Sequence, residues 1–239
     1  MRIISAISIL LLATGISSAQ NKTKTSGFID LNYYPVLTDV DQDTFLTLNA
    51  LVNLPARLQY FSFTNIAGND SRNPFSSNNQ YYSEQNLRWQ IEDDSPLDLT
   101  VQWNLRSGSE NDRLRLGFRW RLDDTSRLQD FFDSLHLAYS INFHAIQFDH
   151  ESPSVWQMEH VFRMTFPYLS DRLYLSGFID HTFNGEKPEG APSAPIVLEA
   201  QLGCRLHQQL YAVAEYRINE YRRGDITNLA LGLQYRIPW

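Results

Sequence analysis

The chain has no means of forming an internal disulfide, because Cys204 is its single cysteine. A small disulfide scaffold is therefore excluded. Cys204 falls on the apolar face of an expected strand, where a thiol behaves as a small hydrophobe. Long apolar runs are also missing: after the first dozen residues nothing approaches the roughly 18 consecutive apolar residues of a membrane helix, which excludes a helical membrane protein. Basic residues are in deficit, with 20 Lys and Arg against 27 Asp and Glu and a net charge of −7. Such a balance gives no electrostatic basis for binding nucleic acid. A sustained helical period is absent as well. Only residues 125–134, with Leu128, Phe131 and Phe132, fit a helical turn or two. No grouping calls for a cofactor, and His144 and His160, which could meet at one rim across a hairpin, lack the fixed spacing of a metal site.

What is present is alternation. Residues 228–239 place Leu229, Leu231, Leu233, Tyr235, Ile237 and Trp239 on one face of a strand and Asn228, Ala230, Gly232, Gln234 and Arg236 on the other. Side chains in a strand alternate with period 2, so this is an apolar ladder backed by a small, polar one. A strand of that length, apolar on one side and wet on the other, suits the wall of a barrel in a bilayer. At the other end, Arg2 precedes a short apolar stretch, and Ser17-Ser18-Ala19 supplies small residues for cleavage. Residues 1–19 are expected to be a secretory signal peptide and residues 20–239 an outer-membrane barrel domain. Loss of Arg2 with the signal would leave 19 basic and 27 acidic residues.

Division at the turn signals predicts an all-β fold: a transmembrane, antiparallel, up-and-down β-barrel of about 12 strands, each near the ~10 residues that a tilted membrane strand needs. The clearest lie at residues 45–54, 87–91, 97–105, 113–122, 135–148, 155–166, 173–183, 196–206, 210–218 and 228–237. Residues 27–34 and 57–65 are less regular candidates. Connections at 54–56, 92–96, 167–171 and 207–209 are short, whereas 67–80 and 184–195 are longer and rich in Gly, Pro, Asn and Ser. Short turns alternating with longer loops are the barrel rule, and 125–134 is long for its place. A secreted β-sandwich or lipocalin-like barrel would alternate too. Its small core would be overfilled by ladders such as Leu114/Leu116/Phe118/Trp120/Leu122 and Ile196/Leu198/Ala200/Leu202/Cys204/Leu206.

With the apolar ladders facing lipid, the alternate residues face a lumen. The expected pore lining is Asp98, Arg113, Arg115, Arg119, Arg121, Glu159, Arg163, Asp180, Glu199, Glu215 and Arg217. Tyr174 and Phe178 share a face with Asp180, and Phe61 and Phe63 share one with Arg57. These aromatics suit a planar, polar solute in the lumen or a girdle at the membrane boundary, the girdle being the default for any one of them. Two readings stay open. The charges form a field across a lumen that passes a small polar solute, or they pair with each other and plug a narrow barrel.

The run 135–183, above all WQMEHVFRMTFP at 156–167 and LYLSGFID at 173–180, resembles the nucleoside-specific outer-membrane channel family (Tsx-like). DTFLTLNA at 43–50 and LQYFSFT at 58–64 lie where that family's early strands would. The resemblance implies a twelve-stranded monomeric barrel with a narrow lumen and a nucleoside as solute. This chain is shorter, has trimmed external loops and does not end on the usual phenylalanine. The implied partners are outer-membrane lipids of a Gram-negative envelope, the barrel assembly machinery reading the C-terminal strand, and the solute. A competing reading is a lipid hydrolase, because His150 and Ser152 have the His-x-Ser spacing in which a histidine could activate a serine. Pro153 stands where known barrel hydrolases have Asn. A third reading is a structural barrel carrying nothing.

Overall fold

The computed structural model describes residues 25–37, 43–68, 80–108, 112–148, 155–222 and 224–239. Residues 1–24, which hold the expected signal peptide, and the His150/Ser152 pair lie outside the described residues. The strands are β1 (Ser26–Leu37), β2 (Thr44–Leu54), β3 (Leu58–Ala67), β4 (Gln80–Gln90), β5 (Leu97–Arg106), β6 (Arg113–Arg121), β7 (Leu137–Phe148), β8 (Trp156–Phe166), β9 (Ser170–Phe183), β10 (Ile196–His207), β11 (Leu210–Asn219) and β12 (Thr227–Pro238). Each pairs antiparallel with its sequence neighbours, and β12 pairs with β1, so the sheet closes as a twelve-stranded barrel. The seam is bonded at its last residues: Gly27 and Trp239 exchange both backbone hydrogen bonds at 3.0 Å.

β5 shows why the sequence folds this way round. Leu97, Leu99, Val101 and Trp103 are exposed, Leu99 to 49%, whereas Asp98, Thr100, Gln102 and Asn104 are at most 3% exposed. A water-soluble barrel would bury the first set. Here the polar set fills the interior and the apolar set forms the outer wall of a transmembrane barrel. β12 repeats the pattern, with Leu229, Leu231, Leu233, Tyr235 and Ile237 exposed and Asn228, Ala230 and Gln234 buried. Directly opposed residues of an antiparallel pair share a face, so the register carries this assignment around the ring. Cys204, opposite Leu173 and Ala212, belongs to the outer wall.

Strand ends shift by a few residues at several places from the sequence-based expectation, and two differences are larger. β4 begins at Gln80 rather than at residue 87. Its first half is polar on both faces, which hides it from a search for apolar ladders. The outward polar groups satisfy one another: Tyr60 donates to Gln85, Gln85 donates to Ser83 at 2.8 Å, and Ser83 and Thr64 share a bond at 2.7 Å. The long connection between β6 and β7 holds a short helix, α1 (Gln129–Ser134). Phe132 on α1 stacks on Tyr139 of the outer wall, with ring centroids 5.9 Å apart. The helix therefore leans on the barrel's outside and leaves the lumen clear.

The β2–β3, β4–β5, β8–β9 and β10–β11 links, together with both ends of the sheet, lie at one rim, here called the turn end. Tight reversals there hold Ala56, Arg57, Asp94 and Gln208 at positive φ. The opposite rim is the loop end.

Candidate functional site in the barrel lumen

The structure places all of the charged residues expected to face the lumen on the inner wall. Asp98 opposes Arg119, Arg113 opposes Asn104, and Arg121 opposes Ser140. Glu159 opposes Asp180, Arg163 opposes Ser176, and Glu199 opposes Arg217. Arg115 opposes Gln102 and Glu215 opposes Gln201. They do not form one cluster.

On the β3–β8 side, Asp98 is clamped by Arg119 Nε and Arg121 Nη1, each at 2.5 Å. Arg119 also reaches Gln59 at 2.9 Å, and Arg88 donates to the same amide at 3.2 Å. Arg115 donates to Gln147 at 2.8 Å and to Gln102 at 2.7 Å, and Gln102 meets His144 Nε2 at 3.2 Å. His144 stands 3.9 Å from Glu159, which also accepts from Asn142. The two histidines do not meet at a rim. His144 is inward and fully buried, whereas His160 is on the outer wall, bonded to Tyr139 at 2.7 Å. They sit an even number of residues apart on different strands, and the hairpin register puts Gln157, not His160, opposite His144.

On the other side, Glu215 accepts from Tyr34 at 2.6 Å, Arg217 at 2.7 Å and Gln201 at 3.1 Å. The Tyr174 hydroxyl lies within hydrogen-bond distance of the Gln201 and Gln234 amides, at 2.6 and 2.7 Å. Tyr174 has room because its cross-strand neighbour is Gly203. A Cβ there would stand 2.1 Å from the ring. At the loop end Arg217, Arg222, Asn228 and the Thr44 N–H converge on Asp43, just outside β2. Burial alone would raise the Asp43 carboxyl, but these partners hold it below its ordinary value.

Between the two walls, Phe63 of β3 and Phe178 of β9 stack across the lumen with centroids 6.2 Å apart. These strands stand six places apart in a ring of twelve, so the contact joins opposite walls. Among the described residues, two cavities lie within the lumen. One of about 330 Å³, toward the turn end, is bounded by Phe28, Phe61, Phe63, Phe178, Arg88, Arg163 and Arg236 among others. The other, about 310 Å³ at the loop end, is bounded by Tyr82, Arg113, Arg115, Asp180 and Glu186 among others. Among the described residues, no group of His, Cys, Asp and Glu is arranged to hold a metal ion.

The sequence leaves Phe63 and Phe178 between the lumen and a girdle at the membrane boundary; the structure puts both in the lumen and in contact. Sequence reasoning passed over Tyr34, Gln59, Arg88, Gln102 and Gln201, because amides and single polar residues at alternate positions carry no signal beyond the alternation itself.

No family model matches the chain, and no curated protein matches it. Among solved structures it is similar to the KdgM porin, at TM-score 0.48 and 13% identity over 89% of this chain and 98% of that one. A structure described under "Unveiling the Mechanism Behind the in-meso Crystallization of Membrane Proteins" is similar at TM-score 0.50 and 14% identity, over 90% of this chain and 84% of that one. A triple mutant of the Rhodopseudomonas blastica porin is similar at TM-score 0.38 and 8% identity, over 90% and 99%. At such identities the likeness is one of fold.

Proposed function

We propose that this barrel is an outer-membrane channel for small polar solutes, with the turn end in the periplasm and the loop end outside. The observation that carries the proposal is the pair of cavities left open inside the lumen, with Phe178 and Phe63 bordering one, Tyr82 bordering the other, and Phe63 in contact with both of these rings. A barrel closed for stability alone would be expected to fill this space with side chains, as small barrels do. The charged inner wall replaces part of a solute's hydration while the rings set its width. Asp98, Arg113, Arg115, Arg119, Arg121, Glu159, Arg163, Asp180, Glu199, Glu215 and Arg217 are assigned as pore lining on this basis. Stacking surfaces beside hydrogen-bonding groups suit a planar solute, and nucleosides are the first candidates through the Tsx-like resemblance.

Single-channel conductance in planar bilayers tests the proposal. The wild-type protein is expected to conduct, Phe63→Ala and Phe178→Ala to conduct more, and adenosine to reduce the current. A current indifferent to adenosine would remove nucleosides and leave the channel. The plugged barrel has one observation in its favour: the bidentate clamp of Asp98 by Arg119 and Arg121. It requires that neither the wild type nor the two alanine variants conduct.

A further inference from the structure

The turn end of the lumen carries a feature that the mixed overall charge conceals. Five successive even-numbered strands each turn an arginine inward close to their turn-end limit: Arg88 on β4, Arg119 on β6, Arg163 on β8, Arg205 on β10 and Arg236 on β12. In four of them the arginine is two residues from the last strand residue, and in β8 it is three. Together they form a cationic collar around most of the mouth.

The collar is not neutralised by its neighbours. Arg119 is committed to Asp98 at 2.5 Å, and Arg205 to the exposed Asp171 at 2.7 Å. Arg88, Arg163 and Arg236 have no carboxylate within ion-pair distance among the described residues. The register explains this. Arg88 lies opposite Gln59 and Thr100, and Arg163 opposite Ala138 and Ser176. Arg236 does oppose Asp30, but that carboxylate is held by Asn32 at 2.9 Å and Asn49 at 2.8 Å. Each of the three guanidiniums lies instead over a ring: Arg88 over Phe61 at 5.3 Å, Arg163 over Tyr174 at 4.4 Å and Arg236 over Phe28 at 3.6 Å. Arg88 is 6% exposed and its Nε has no partner. A buried guanidinium donor without an acceptor is costly, which a bound oxyanion would relieve.

All three border the 330 Å³ cavity, whose remaining wall is rich in phenylalanine. One carboxylate of this wall, Asp30, stands at the level of the collar opposite Arg236 and is held by Asn32 and Asn49; the others are engaged elsewhere. Glu215 is occupied by Tyr34, Gln201 and Arg217, Glu159 by Asn142 and His144, and Glu199 stands in register with Phe178 at the aromatic contact. Beyond the collar, the described residues that line this cavity include no Lys or Arg to receive a second negative charge carried at the far end of the same molecule.

We infer that the turn-end cavity is a binding site for a planar organic monoanion, whose carboxylate is held by Arg88, Arg163 and Arg236 and whose ring lies against Phe28 and Phe61. The inference rests on the channel proposal only for the route by which the solute arrives. Benzoate is the probe, with benzamide as its neutral counterpart. Calorimetry on the detergent-solubilised, full-length mature protein is expected to show benzoate binding at least about tenfold more tightly than benzamide. The double substitution Arg163→Gln/Arg236→Gln is expected to weaken benzoate about tenfold or more and to leave benzamide little changed. These ratios are the sort that one or two charge-assisted hydrogen bonds provide. Heat-modifiable gel mobility reports that the variant barrel is folded, and Arg88→Gln provides a second, single-site variant if it is not. Equal affinity for the two probes, or benzoate affinity untouched by the substitutions, overturns the inference. Block of single-channel current by benzoate is measured separately. Binding without any current would overturn the channel and leave the site.

Discussion

At the scale of single residues, the lumen's stability rests on a few polar groups that hold several partners each. Asp98 is 1% exposed and accepts from two guanidiniums; without its charge Arg119 keeps only the Gln59 amide, and Arg121 keeps the exposed Asp124 and the Ser95 carbonyl. Asp98→Asn is expected to destabilise the barrel by about 3 kcal/mol, the lower end of what breaking a buried ion pair costs. Urea unfolding in lipid vesicles measures it. Asp43 makes a pH-dependent contribution at the loop end. Its carboxyl is held below the ordinary value by Arg217, Asn228, the Thr44 N–H and Arg222 against the effect of burial. The stabilisation it gives is complete above the unfolded value near 4 and is lost as pH falls through the lower folded value. Between pH 4 and 2 the wild type should lose more stability than Asp43→Asn, as read by unfolding midpoints at each pH. At the turn end, Ala56 has φ +62°. Ala56→Gly should stabilise by about 1 kcal/mol by relieving a left-handed backbone at a non-glycine residue.

At the scale of the strand, one face meets lipid and the other a polar interior, and substitutions should divide accordingly. Leu231 lies on the outer face near the middle of β12, so Leu231→Arg should cost about 2–4 kcal/mol in a bilayer, as a cation near the midplane does. Gly203 shows the opposite constraint on the inner face. A methyl there meets the Tyr174 ring, so Gly203→Ala should turn that ring away and break its bonds to Gln201 and Gln234. Loss of the Tyr174 near-ultraviolet dichroism with a retained strand signal would record it. An unchanged spectrum would show that the ring is not fixed by this contact.

For the whole molecule, closure is the decisive event. A sheet in a membrane cannot leave an open edge, because no water is present to satisfy its backbone groups. β12 completes the ring against β1 by a register running from Phe28↔Pro238 to Leu37↔Ala230. Deleting residues 237–239 removes the Gly27–Trp239 bonds at the seam and should abolish heat-resistant, compact migration on gels. Closure also brings β3 opposite β9, and with it Phe63 onto Phe178. The two residues are 115 positions apart in the chain.

The sequence alone determined the all-β class, a barrel of about twelve strands, and the outward face of those strands that alternate cleanly. Period-2 alternation over about ten residues has a single physical meaning once the apolar side is too extensive for a small core. It failed where that contrast is weak, as in the first half of β4, where Ser83 and Gln85 are polar on the outer wall. It also found a helical turn at 125–134 without showing that α1 leans on the outside. Only the tertiary structure decided which inward groups meet. The clamp on Asp98, the convergence on Asp43, the aromatic contact across the axis and the arginine collar all join strands through register and ring closure. Alternation fixes the side of a residue; its partners depend on stagger and curvature, which no single strand encodes.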